Sequence, residues 1–218
     1  MNNIRAVIFD MDGVIIDSQD AHYKADLLAL EYFGKKQDLS FVMKGAGTTT
    51  IERFTKWKEE LEIKDNINFI VLKREKIVKE LFINGNISPI MGVYELLTDI
   101  KNNNIKIALA SSSSHELINT ALDTINYKDF FDIIVSGQDM EKGKPAPDIF
   151  LEAAKLLNVE TYECIVVEDS ENGVKAGVLA GMKVLGYINP SSGLQDLSRS
   201  NKIIEDFRKC NFHNICNI

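Results

Sequence analysis

The chain is poor in the residues that mark specialised folds. It carries 3 cysteines, 4 prolines and 1 tryptophan among 218 residues. So sparse a cysteine set excludes a disulfide framework and points to a reducing, cytoplasmic setting. No run approaches ~18 consecutive apolar residues, so no membrane span is expected. An apolar strand pattern starts almost at the N-terminus, and no signal peptide is expected there. Positive charge is not in excess: 25 basic against 32 acidic residues give a net charge of −7, which argues against a nucleic-acid partner. A small anionic substrate, which feels only the local field, is not excluded. Internal repeats and low-complexity linkers are missing as well. What remains, 45% hydrophobic and 26% charged residues, is the composition of a globular protein with room for one ordinary domain and a smaller one.

Against this plain background one stretch stands out: Val7-Ile8-Phe9-Asp10-Met11-Asp12-Gly13-Val14. The apolar run Ala6 to Phe9 predicts a buried strand of a parallel sheet. Ligands of open α/β sheets sit beyond the carboxyl ends of strands, which is where Asp10 and Asp12 fall. Side chains at i and i+2 of an extended segment share a face, so both carboxylates can converge on one ligand. Two such charges about 4 Å apart repel by roughly 4 kcal/mol at an effective dielectric of ~20. A cation, a shared proton or a covalent task offsets such a cost; an acidic turn after a strand is the plain alternative.

Further strands are predicted at Lys106 to Ala110, Ile133 to Val135, Cys164 to Val167, Lys183 to Tyr187 and Lys202 to Ile204. Helical patterns fall between them. Glu116 to Thr124 follows a serine N-cap, Asp148 to Leu157 has Pro147 at its first position, and Asn172 to Ala180 stops at Gly181. The alternation predicts an α/β fold with a doubly wound parallel sheet, in residues 1–16 and 87–218. Residues 17–86 break it. Ala21 to Phe33, Thr49 to Leu61 and Asn68 to Phe82 read as helices, with Ala25, Leu28, Ala29 and Tyr32 as the apolar face of the first and Phe54 with Trp57 as core of the second. This is a small helical cap domain, inserted where it can act as a lid. Gly173, Gly177 and Gly181, at four-residue spacing, read as a face packed closely on the sheet. Cys210, His213 and Cys216 offer a metal too few ligands, and are read as a surface tail.

Three more polar clusters follow strands. Ser111-Ser112-Ser113-Ser114 combines hydroxyls with a helix N-terminus, an anion site or a simple cap. Gly143-Lys144-Pro145 holds a lysine in a constrained loop, and Glu168-Asp169 offers hard oxygen ligands or an acidic helix start. Asp10-x-Asp12-Gly13, Ser111, Lys144-Pro145 and Glu168-Asp169 together resemble, in order, the four motifs of haloacid dehalogenase superfamily phosphohydrolases with a helical cap. The resemblance implies Asp10 as a nucleophile that becomes an aspartyl phosphate, and Asp12 as general acid and base. It implies Ser111, Ser112 and Lys144 around the phosphoryl group. Mg²⁺ would be held by Asp10, the Asp12 backbone carbonyl and Asp169, with Glu168 binding directly or through water.

Gly13 to Ser18 and Lys44-Gly45 are similar to the β-phosphoglucomutase-like members, which makes His22, Lys44, Gly45 and Thr48 substrate-side candidates. The mutases carry an arginine where this chain has Thr48, and Arg53 is the nearest arginine. Losing a bidentate phosphate grip favours hydrolysis of a small phosphomonoester such as a sugar phosphate over the mutase reaction, which stays the alternative. A phospho-acceptor signalling domain is a remote third reading. The expected partner is a small phosphorylated metabolite, and the expected state a monomer.

Overall fold

A computed structural model describes residues 4–45 and 48–218. The chain folds into two compact units, Met1–Asp17 with Ser88–Ile218, and Ser18–Ile87. The first holds strands β1 (Ala6–Phe9), β2 (Ile16–Asp17), β3 (Ser88–Pro89), β4 (Lys106–Ser111), β5 (Ile133–Ser136), β6 (Cys164–Glu168), β7 (Lys183–Tyr187) and β8 (Lys202–Ile204). Helices α1 (Gln19–Tyr32), α2 (Leu39–Met43), α3 (Thr50–Glu60) and α4 (Ile67–Ile83) make up the second unit. Helices α5 (Val93–Asn102), α6 (His115–Ile125), α7 (Asp148–Leu157), α8 (Glu171–Leu179) and α9 (Phe212–Cys216) belong to the first.

Six strands form one sheet in the order β5-β4-β1-β6-β7-β8, and every pair is parallel. Strand β1 lies at its centre, between β4 and β6. The strand order reverses there, so the carboxyl end of β1 is the switch point at which such sheets open a crevice. All four β1 residues are fully buried, which is why this strand reads as an unbroken apolar run rather than an alternation. The core continues through Phe150, Ala153 and Leu157 of α7 to Val166 and Val184 of the sheet.

Several elements lie beyond the predicted ones. Strands β2 and β3 pair antiparallel over two residues each, too short for any periodicity to register. The stripe Val93, Leu96, Leu97, Ile100 is the buried face of α5. Pro147 caps α7 rather than opening it. The C-terminal segment corrects the expectation of a surface tail: Phe207 and Ile215 are buried, and the Phe212 amide donates to Asp99 Oδ2 at 2.6 Å.

Two readings of faces also change. On α1 the buried residues are Ala21, Ala25, Asp26, Ala29 and Leu30, whereas Leu28 and Tyr32 are exposed. The buried stripe includes a carboxylate, so hydropathy spacing places the face one step round the helix. Phe54 and Trp57 are core as expected, with Leu30, Val42 and Ile70. The three glycines of α8 and its end divide the labour. A Cβ on Gly177 would come within 2.8 Å of Val184, a true sheet contact, while Gly181 (φ +73°) ends the helix in a left-handed conformation. Gly173 instead makes room for the Glu168 carboxylate, which a Cβ would strike at 1.8 Å.

Candidate active site

Strand β1 delivers Asp10 to the switch point, and β6 delivers Glu168 and Asp169 beside it. These three buried side chains each offer an oxygen within 4.8 Å of the others, a group able to hold a metal ion. Lys144 reaches into the cluster from the loop after β5. Its Nζ donates to Asp10 Oδ1 (2.5 Å), Glu168 Oε1 (2.7 Å) and the Ala110 carbonyl (3.0 Å). Glu168 Oε2 accepts from the Asp169 and Ser170 amides (3.0 Å each) and the Ser170 hydroxyl (2.9 Å). The Glu168 carboxylate is thus clamped between a lysine and the amino end of α8.

The charges do not balance. Burial, aided by Glu168, Asp169 and Asp12, pushes Asp10 well above the usual carboxylate range, although Lys144 pulls it down. Burial and then Glu168 push Asp169 up to about 7. Burial opposes the charge on Lys144, yet Asp10 and Glu168 outweigh it and its pKa rises. Three buried carboxylates against one ammonium make a site that favours a further positive charge. The donors are hard oxygens, the set that suits Mg²⁺ or Ca²⁺. Gly13 keeps the place open. It sits at φ +84°, and a Cβ there would lie 2.1 Å from Asp169 Oδ2.

Asp12 is placed differently from the extended-strand expectation. After Asp10 the chain turns, with the Ile15 and Ile16 amides donating to the Met11 carbonyl (2.9 and 3.1 Å). Asp12 is therefore half-buried and outside the three-carboxylate group, and its Oδ2 accepts from Ser113 Oγ at 3.0 Å. Ser111 is buried at the end of β4, and its Oγ accepts from the Ser113 amide at 3.1 Å. Ser112 is exposed, while Ser114 caps α6 as expected. Ser113, unmarked within a run of four serines, is thus the one seen on Asp12. Ser192 is a second residue that the sequence does not flag: its Oγ donates to Asp169 Oδ2 at 2.5 Å from the loop after β7. No sequence signal ties that loop to Asp169; only the sheet order brings them together.

The substrate-side candidates lie in the helical unit and are described within it. Lys44 is exposed and Gly45 buried, and a Cβ on Gly45 would fall 2.3 Å from Arg53 Cδ. Thr48 Oγ1 donates to the Gly45 carbonyl at 2.7 Å. Lys44, Gly45, Thr48, Arg53 and Trp57 line a cavity of about 650 Å³. Arg53 does not offer a free fork. It is ion-paired with Asp26 at 3.0 Å and donates to the Thr48 carbonyl at 3.0 Å. His22 Nδ1 lies 2.8 Å from Arg74 Nη2.

The family model for haloacid dehalogenase-like hydrolases matches residues 7–187. A phosphorylated carbohydrates phosphatase of Thermotoga maritima is 34% identical over 188 residues, covering 85% of this chain and 86% of that one. A beta-phosphoglucomutase of Bacillus subtilis is 33% identical over 201 residues, with 84% and 83% covered. The crystal structure of a Clostridium difficile beta-phosphoglucomutase matches with TM-score 0.82 at 30% identity, covering 98% of this chain and 96% of that one. The chain belongs to the haloacid dehalogenase-like hydrolase family.

Proposed function

We propose that the protein is a Mg²⁺-dependent phosphohydrolase that acts on a small phosphomonoester, a sugar phosphate, through an aspartyl phosphate on Asp10. The observation that carries this is the buried cluster of Asp10, Glu168 and Asp169 around Lys144 at the switch point of the sheet. Lys144 fixes one oxygen of Asp10 and thereby orients the carboxylate for attack on phosphorus. The P–O bond to the sugar breaks as the Asp10–phosphorus bond forms, and Asp12 protonates the departing oxygen. Asp12, now a base, takes a proton from the water that cleaves the aspartyl phosphate. Its bond from Ser113 holds it in place for both steps. Splitting one displacement into two easier ones is the gain of covalent catalysis.

Mg²⁺, when bound, supplies charge neutralisation for the phosphoryl oxygens, the main requirement of this chemistry. Asp10, Asp169 and the Asp12 carbonyl would hold it. Glu168 would hold it directly or through water, with one of its oxygens also engaged by Lys144 and the other by the start of α8. Ser111, Ser112 and Lys144 receive the phosphoryl oxygens. The helical unit, Ser18–Ile87, selects the substrate as a cap, with His22, Lys44, Gly45 and Thr48 on its substrate side.

A phosphomutase reading is favoured by the likeness to two enzymes named beta-phosphoglucomutase. Against it, Thr48 replaces the arginine that would grip a second phosphate, and Arg53 is spent on Asp26 and Thr48. Two assays separate the readings. With Mg²⁺ and a panel of sugar phosphates, the purified protein releases inorganic phosphate; no release from any of them would end the hydrolase reading. With β-glucose 1-phosphate and catalytic glucose 1,6-bisphosphate, little glucose 6-phosphate forms, and efficient conversion would make it a mutase.

A further inference from the structure

The helical unit buries an ion cluster of its own. Asp26 on α1 is 2% exposed and Arg74 on α4 is 4% exposed. Arg74 Nε donates to Asp26 Oδ1 at 2.8 Å, and Arg53 of α3 pairs with Asp26 Oδ2 at 3.0 Å. One carboxylate therefore serves two guanidinium groups, and each arginine has N–H groups left over. Each turns one to a nitrogen or oxygen in a segment with a substrate-side candidate. Arg74 Nη2 meets His22 Nδ1 at 2.8 Å, and Arg53 Nη1 donates to the Thr48 carbonyl at 3.0 Å.

The first contact has a chemical consequence. Arginine has only donors, so Nδ1 of His22 must accept, and the ring proton sits on Nε2. Phe82, edge-on to the ring at 5.6 Å, restricts its plane. We propose that Asp26 is a positioning residue: through Arg74 it fixes His22 as an Nε2–H hydrogen-bond donor, and through Arg53 it fixes the segment that carries Thr48. His22 then serves oxygen atoms as a donor and is not a base. The tautomer stands on this geometry alone; only its effect on turnover rests on the hydrolase reading.

Imidazole ¹⁵N spectra of the intact protein at pH 7.5 test this directly. The expected signature for His22 is a protonated Nε2 and an unprotonated Nδ1; a proton on Nδ1, alone or with Nε2, overturns the proposal. Two variants then separate the branches. Arg74→Met leaves Asp26 paired one-to-one with Arg53, so no charge is stranded. It abolishes the single-tautomer signature and lowers kcat for phosphate release on the order of 10²-fold, the cost of misplacing a group that positions the substrate. Arg53→Met leaves the His22 signature intact and raises KM severalfold with kcat kept. A His22 signature unchanged in Arg74→Met, or lost in Arg53→Met, contradicts the assignment. A wild-type protein with the expected spectrum and no phosphate release would sink the hydrolase reading and leave the tautomer standing.

Discussion

The two units bury charge clusters of opposite sign, and they resolve the excess in opposite ways. In the α/β unit three carboxylates face one ammonium, and burial and mutual repulsion drive Asp10 and Asp169 upward. In the helical unit two guanidinium groups face one carboxylate, and the surplus N–H groups find a backbone carbonyl and an imidazole nitrogen of the same unit. The cationic cluster meets most of its donors internally, with the buried Arg53 Nε left without a hydrogen bond. The anionic cluster stays frustrated, as a site does whose last partner comes from solution. Buried charge alone therefore does not mark chemistry; three carboxylates whose oxygens converge on one place for a cation do.

The sharpest way to break this comparison is to make one chemical change, aspartate to asparagine, in both clusters. Asp10→Asn removes the proposed nucleophile and is expected to cost a factor on the order of 10⁴–10⁶ in turnover. It also relieves like-charge crowding, so the melting temperature without Mg²⁺ holds or rises. Asp26→Asn strands two buried cations and is expected to lower the unfolding free energy by about 3–5 kcal/mol, measured by denaturant titration. If Asp10→Asn proves as destabilising as Asp26→Asn, the two clusters are alike and the distinction fails.

A smaller effect tests the hydroxyl that the sequence hid. Ser192→Ala removes the donor to Asp169 and is expected to weaken Mg²⁺ binding about 10-fold by calorimetry, the scale for lost outer partners of metal ligands. Unchanged affinity would make that bond incidental. The smallest effect is in pH. Asp169 titrates near 7 when folded, against an ordinary value of 3.8. Its pKa is raised, so its contribution to stability is full below about pH 4 and lost as pH climbs through 7. Protons and Mg²⁺ compete for the same oxygens. The rise in melting temperature on adding Mg²⁺ is therefore larger at pH 8 than at pH 6, and an equal rise at both would count against the cluster as the metal site.

The anionic cluster is the more legible of the two in the sequence, for a physical reason. Asp10 and Asp169 each follow a buried strand and Glu168 ends one, so the apolar run announces where the carboxylates fall. Lys144 stands out between a glycine and a proline. Ser113 and Ser192 do not, because a serine in a polar loop has no pattern until the sheet order brings it to its partner. The cationic cluster is illegible throughout. Asp26 sits on the buried face of α1 only because Arg53 and Arg74, 27 and 48 residues away, neutralise it there. Helical periodicity counts such a residue as exposed, which is why it places the face of α1 one step round.

The central claim is that Asp10 carries the phosphoryl group. It is tested by quenching the protein in acid during turnover with a sugar phosphate and Mg²⁺, reducing with borohydride, and mapping the peptides by mass spectrometry. The account predicts homoserine at position 10, seen only when substrate and Mg²⁺ are both present, and formed and lost more slowly in Asp12→Ala. Steady phosphate release with Asp10 unmodified under all these conditions would contradict it.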